Sequence, residues 1–182
     1  MIPVGYRAKR VSLRPDQLQA EAVVDINSVS NCISKNFANY IPYWQHNGYW
    51  LFDSPEIIRR LANEHAIELA GTRLFYYEVY ELQFDEDIGD WIGFEPELGF
   101  PTAVVLPTLK NLEGFDVVTF SAGTSAECSP LSCNYLAGEV ETNSHCLLAS
   151  LEQAQHLLVS GRFTYSEPGP FRIFAVYSVE WP

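Results

Sequence analysis

No run of apolar residues in this chain approaches the roughly 20 that a membrane-crossing helix needs. Met1 to Arg10 also lacks the apolar block of a secretory leader, so a soluble, cytoplasmic protein is the expectation. Cysteine is scarce, four residues in 182, which is too few for a disulfide-stapled secreted scaffold and favours reduced thiols or a metal site. Basic residues are scarcer still, 11 Lys/Arg against 23 Asp/Glu, and a field of that sign repels phosphate backbones, so direct contact with nucleic acid is not expected. Glycine-rich phosphate cradles, paired-histidine zinc helices, nucleophile elbows and dinucleotide fingerprints are all missing. No catalytic residues are therefore assigned, and a non-enzymatic role is the leading expectation.

What is present is hydrophobic content, 47% of residues, enough for a real core in one compact structure. The charge is also unevenly placed. Residues 1–73 carry eight Lys/Arg and seven Asp/Glu, whereas residues 74–182 carry three and sixteen. An anionic second part favours encounter with a basic partner. The concrete form of this expectation is an acidic protein-binding protein, an inhibitor or immunity-type protein against a basic toxin or nuclease.

The strongest pattern is internal. Val23-Val24, Cys32, Asn39-Tyr40, Asn47, Leu51, Ser54, Glu56 and Leu61 have counterparts at Val117-Val118, Cys128, Asn134-Tyr135, Asn143, Leu147, Ser150, Glu152 and Leu157. Gly5-Tyr6 aligns with Gly99-Phe100, and Val79-Tyr80-Glu81-Leu82 with Val176-Tyr177-Ser178-Val179. Near-constant spacing of this kind marks two copies of one supersecondary unit. The fold class expected is α+β, a duplicated unit with two pseudo-symmetric halves of antiparallel strands and one main helix each packed on the sheet. The first repeat covers residues 1–84, an acidic aromatic linker 85–98, and the second repeat 99–182.

Along the chain, GYRAKRVSL (5–13) predicts an edge-like strand with Arg7, Lys9 and the following Arg14 exposed. Ala22–Ile26 predicts a short strand, and Asn47-Gly48 a turn leading to a strand over 49–52. Ser54-Pro55-Glu56 starts a helix by capping, fixed φ and dipole complementarity, and its apolar face continues to Leu69 before Gly71. RLFYYEVYELQF (73–84) alternates cleanly and predicts one long strand. Further strands are predicted near 103–106 and 117–120. Ser150 with Gln153 opens a second helix through a capping box, and Phe171 to Trp181 alternates as a final strand.

Three groups of residues carry candidate chemistry. Asp85, Glu86, Asp87, Asp90, Trp91, Glu95 and Glu97, with Tyr43 and Trp44 from the aromatic stretch FANYIPYWQHNGYWLF (37–52), form the candidate partner surface. Cys128, Cys133, His145 and Cys146 are four soft donors within nineteen residues, a set that tetrahedral zinc accepts, although adjacent side chains on a strand point to opposite faces. Zinc or thiol chemistry at this tetrad is the alternative function. Tyr40, Tyr135 and Glu78 are candidates for a small-ligand pocket between the halves. Glu78 interrupts an apolar line and therefore needs a partner.

Overall fold

The computed structural model describes residues 1–38, 47–96, 102–120 and 126–182. Its strands are β1 (Ile2–Arg10), β2 (Ser12–Leu13), β3 (Asp25–Ile26), β4 (Lys35–Asn36), β5 (Arg73–Val79), β6 (Leu82–Asp85), β7 (Asp90–Gly93), β8 (Asn111–Thr119) and β9 (Phe171–Val179). The helices are α1 (Pro55–Glu64), the short α2 (Pro130–Cys133) and α3 (Leu151–Val159). The fold is mixed α+β around an antiparallel sheet. Its strands run β4-β1-β5-β9, with β6 following β5 along the same edge of β9, β7 beyond β6, and β8 on the other edge of β9.

Both faces of the sheet are buried, which explains why its strands are more uniformly apolar than a half-exposed sheet requires. On one face α1 sets Ile58, Leu61 and Ala62 against Tyr6, Ala8, Leu74 and Tyr76, and α3 sets Ala154 and Leu158 against Val117, Phe171 and Ile173. Loops cover the other face, where Val29, Tyr49, Leu51 and Leu147 meet Phe75, Tyr77, Val118, Phe120, Phe174 and Val176.

Two turns on this second face are built alike. Asn47 donates through Nδ2 to the Val4 carbonyl at 2.6 Å and accepts through Oδ1 from the Tyr49 and Leu51 amides. Asn143 donates to the Glu113 carbonyl at 2.6 Å and accepts from the His145 and Leu147 amides. Trp50 and Cys146 follow with φ of 60° and 61°. Phe52 then bridges Tyr6 on β1, and Leu148 bridges Phe115 on β8. Each bridged strand carries a register shift at a glycine, Gly5 in β1 and Gly114 in β8. The shift moves the alternation by one residue, so that Val4 packs with Phe75 and Tyr77 while Tyr6 packs on the opposite face with Phe52 and Tyr76.

Several expectations are corrected. Arg7 and Lys9 do not decorate an exposed edge; they are 4% and 0% exposed, because loop carbonyls on the covered face receive their donors. Helix α1 stops at Glu64 rather than continuing to Leu69, with Ala66 beyond it at φ 52°. The long strand predicted over 73–84 divides at Tyr80-Glu81 into β5 and β6, where the Tyr80 amide turns to the Ile173 carbonyl. Residues 49–52 form a bend with one bridge, 103–106 form no strand, and β8 begins at Asn111, ahead of the predicted 117–120. Within the expected linker, β6 and β7 pair as a hairpin. The capping half of the box stands as predicted, with Gln153 N–H donating to Ser150 Oγ, whereas the Gln153 side chain accepts from the N–H of Ala149, one residue ahead of the N-cap.

Candidate functional site

The buried polar residues of the loop-covered face converge on one carboxylate. Asp116, on β8, is 0% exposed. It accepts hydrogen bonds from the Ser28 hydroxyl at 2.7 Å, the Val29 amide at 2.9 Å and the Ser129 hydroxyl at 2.6 Å. Burial pushes its pKa up to about 6, against the pull of these three donors. Lys9 lies close by and donates to the carbonyls of Ser28 and Ser30. Burial holds the Lys9 ammonium well below the ordinary lysine range, with Arg7 adding to the effect, while Asp116, Cys133 and Cys32 draw it back up.

The segments that Asp116 ties down are the ones that carry thiols. Ser28 and Val29 lead into the loop holding Cys32. Ser129 occupies the N-cap position of α2, which is flanked by Cys128 and ends at Cys133. Pro130 fixes the first helical residue, and the Cys133 amide donates back to the Ser129 carbonyl at 2.7 Å. The result is that Cys32, Cys128 and Cys133 bring their Sγ atoms within 4.8 Å of one another.

Cys32 is exposed, while Cys128 and Cys133 are half-buried. Cys32 Sγ lies 3.2 Å from the Glu127 carbonyl oxygen. Hydrogen bonds from Cys128 and Cys133, assisted by Ser30, hold the Cys32 thiol far below the ordinary range, at about 3. The same sharing pushes Cys128 up. For Cys133 the bond from Cys128 pulls down, but the bond to Cys32 and burial outweigh it.

The predicted tetrad is not assembled. His145 is held through Nδ1 by Asp25 at 2.5 Å and lies 3.2 Å through Nε2 from Glu113, the two carboxylates that also pair with Arg73. Cys146 packs in the hydrophobic core with Ile26, Leu148 and Leu158, and burial pushes its thiol up. The third sulfur is instead Cys32, whose sequence signal is the serine-rich flank SVSNCIS resembling CSPLSC.

Of the partner-surface residues, Asp87, Asp90 and Glu95 are exposed, and Asp85, Glu86 and Trp91 are half-buried. Asp85 accepts from the Asp87 and Ile88 amides, Glu86 accepts from the Gly169 amide, and Trp91 packs edge-on to Tyr80 and Phe84. Glu97, Tyr43 and Trp44 lie outside the described residues, as does Tyr40. Tyr135 is 39% exposed beside α2. Glu78 has found its partners, accepting from the Tyr177 and Tyr76 hydroxyls at 3.0 and 3.3 Å and from the Lys110 ammonium. A cleft of about 520 Å³ does open among the described residues, but it is lined by Tyr6, Pro55, Leu109, Lys110 and Trp181, and includes neither Tyr135 nor Glu78. Comparison of the chain with protein-family models, with curated proteins and with solved structures finds no match.

Proposed function

We propose that the protein binds a thiophilic divalent metal ion, zinc foremost, through Cys32, Cys128 and Cys133. The observation that carries this reading is the convergence of three sulfurs from separate segments to within 4.8 Å. Zinc–thiolate bonds of about 2.3 Å in a tetrahedral site separate the sulfurs by about 3.8 Å, so a contraction of roughly 1 Å suffices. Lys9 couples electrostatically with Cys133 and Cys32, so an anionic metal–thiolate unit would draw its ammonium back toward the charged form. Three protein ligands with an exposed sulfur leave the fourth position toward solvent, the arrangement of zinc sites that exchange ligands rather than purely structural ones. Asn134 borders the centre, with its Oδ1 3.8 Å from Cys128 Sγ and its Nδ2 donating to Glu167 at 3.0 Å.

Protein purified without chelator is expected to retain zinc stoichiometrically and to take up cobalt with thiolate charge-transfer absorption. Cys32→Ser and Cys133→Ser each lower metal affinity by roughly a hundredfold or more, whereas His145→Gln leaves it unchanged. Metal also shields Cys32 from alkylation. Full alkylation of Cys32 with zinc present, or unchanged affinity in Cys133→Ser, would sink the reading.

A duplicated ancestry is part of the same proposal. It is supported by the matching turns at Asn47 and Asn143 and by a revised alignment. In that alignment Gly5 matches Gly114 rather than Gly99, and Arg73-Leu74-Phe75 matches Arg172-Ile173-Phe174.

A second reading is an acidic docking surface for a basic protein such as a toxin or nuclease. It is favoured by the β6–β7 hairpin tip, where Asp87 and Asp90 are exposed around Ile88, itself 63% exposed. A lysine-rich peptide is the direct probe. Its binding should weaken with salt and fall several-fold in Asp87→Asn/Asp90→Asn but not in Glu139→Gln/Glu141→Gln. Equal losses in both pairs would reduce this reading to general charge attraction.

A further inference from the structure

We propose that Arg172 is the anchor of a binding site for a small organic carboxylate, distinct from the three-cysteine centre. Four charged side chains are fully buried among the described residues, and three of them are basic: Arg7, Lys9 and Arg172. Lys9 has Asp116 nearby and two carbonyl acceptors. Arg7 donates to the carbonyls of Val29 and Trp50. Arg172, at 2% exposure, has one neutral acceptor, Gln83 Oε1 at 3.1 Å from Nε, and its buried Nη1 has no hydrogen-bond partner. It makes no ion pair among the described residues.

Arg73 supplies the contrast within the same molecule. It begins β5 as Arg172 begins the matching stretch of β9, each two residues before a phenylalanine on the same side of its strand. Arg73 is paired with Asp25 at 3.2 Å and Glu113 at 3.8 Å. At Arg172 no carboxylate among the described residues occupies that role. A desolvated guanidinium without an anion is costly, because its planar fork is shaped for two parallel hydrogen bonds to a carboxylate.

The surroundings define the class of anion. The guanidinium carbon lies 3.1 Å from the Phe94 ring centroid and 3.8 Å from that of Phe120, so both faces are covered and only the fork edge is left to bind. Tyr49 and Phe174 complete an aromatic wall, Tyr49 lying edge-on to both Phe94 and Phe174. Burial pushes the Tyr49 phenol up, so it keeps its proton at neutral pH and remains a donor. A single positive charge in an aromatic setting matches a monocarboxylate with an apolar body better than a strongly hydrated phosphate. Phe94 is half-buried whereas the other rings of the wall are buried, which makes its side the approach from solvent.

The test is thermal unfolding of the full chain with acetate, butyrate or benzoate against chloride at matched ionic strength, together with titration of the Arg172 side-chain Nε–H resonance. Butyrate and benzoate should raise Tm saturably and shift that resonance. Arg172→Lys should weaken binding roughly ten- to hundredfold, and Arg172→Met should fold and abolish the response. Absence of a saturable response in the wild type, or its persistence in Arg172→Met, overturns the proposal. If Arg172→Met does not fold, the wild-type resonance titration decides alone.

Discussion

Gly5→Ala and Gly114→Ala should each lose about 3–5 kcal/mol of stability in urea unfolding, lowering Tm by roughly 10–15 °C. The two glycines have φ of 123° and 147°, well inside territory that L side chains rarely adopt. A Cβ on Gly5 would sit 2.5 Å from the Phe52 carbonyl oxygen; one on Gly114 would sit 2.8 Å from both the Leu148 oxygen and the Leu147 Cβ. Those carbonyls are already engaged, since Phe52 O accepts from the Tyr6 amide at 2.7 Å and Leu148 O accepts from the Phe115 amide at 2.9 Å. Relief of the clash therefore breaks the bridge that seats each Asn-centred turn on its strand. Gly89→Ala is the control: its φ of 68° carries the ordinary left-handed penalty, but no atom lies within 4 Å of a new Cβ, and a loss of about 1 kcal/mol is expected. Similar losses at Gly5 and Gly114 support the duplicated reading. A mild effect at either would show that its bulge relaxes freely and that the two turns are not mechanically alike.

The parts of the fold legible in the sequence are those decided locally. Ser150 caps Gln153 N–H because both partners lie within one helical turn, and Phe171–Val179 is a strand because its alternation is uninterrupted. Pairing of Asn47 with Asn143 was visible as a spacing, although the turn each side chain organises was not. Burial of Arg7 and Lys9 was not legible, because it depends on carbonyls 19 to 43 residues away that no local pattern announces. A basic strand end reads as an exposed edge until the covering loop is known.

The thiol centre follows the same rule. Proximity in sequence suggested Cys128, Cys133, His145 and Cys146, but only the first two share a local element. Cys146 sits at φ 61° in the Asn143 turn and enters the core, while His145 is taken by Asp25 and Glu113. Cys32 joins from a distant segment of the chain, and Asp116, a residue with no motif around it, hydrogen-bonds to the segments that carry both sides of the cluster.

Asp116→Ala should accordingly cost about 3–5 kcal/mol and disperse the three-cysteine cluster together with the stability. The substitution orphans the Ser129 hydroxyl and the Val29 amide, leaves the Ser28 hydroxyl with Ser30 alone, and removes the sole buried carboxylate beside Lys9 among the described residues. Asp116→Asn separates charge from shape, because an amide oxygen can still accept while no proton titrates. The sign of the pH effect follows from the native pKa of about 6 against 3.8 for the unbound carboxyl. The folded protein holds a proton between these values that the unfolded chain has lost, so this residue's contribution is full below about pH 4 and vanishes as pH rises through 6. Wild-type stability relative to Asp116→Asn should therefore increase by roughly 2–3 kcal/mol as pH falls from 7 to 4. A flat difference across that range would mean the three donors outweigh burial and keep Asp116 ionised throughout. Cobalt binding by Asp116→Ala, measured where that variant is still folded, distinguishes a tether from a bystander: Cys32 should no longer contribute a thiolate band, whereas an unaltered spectrum would show that the cysteine loops hold their places without it.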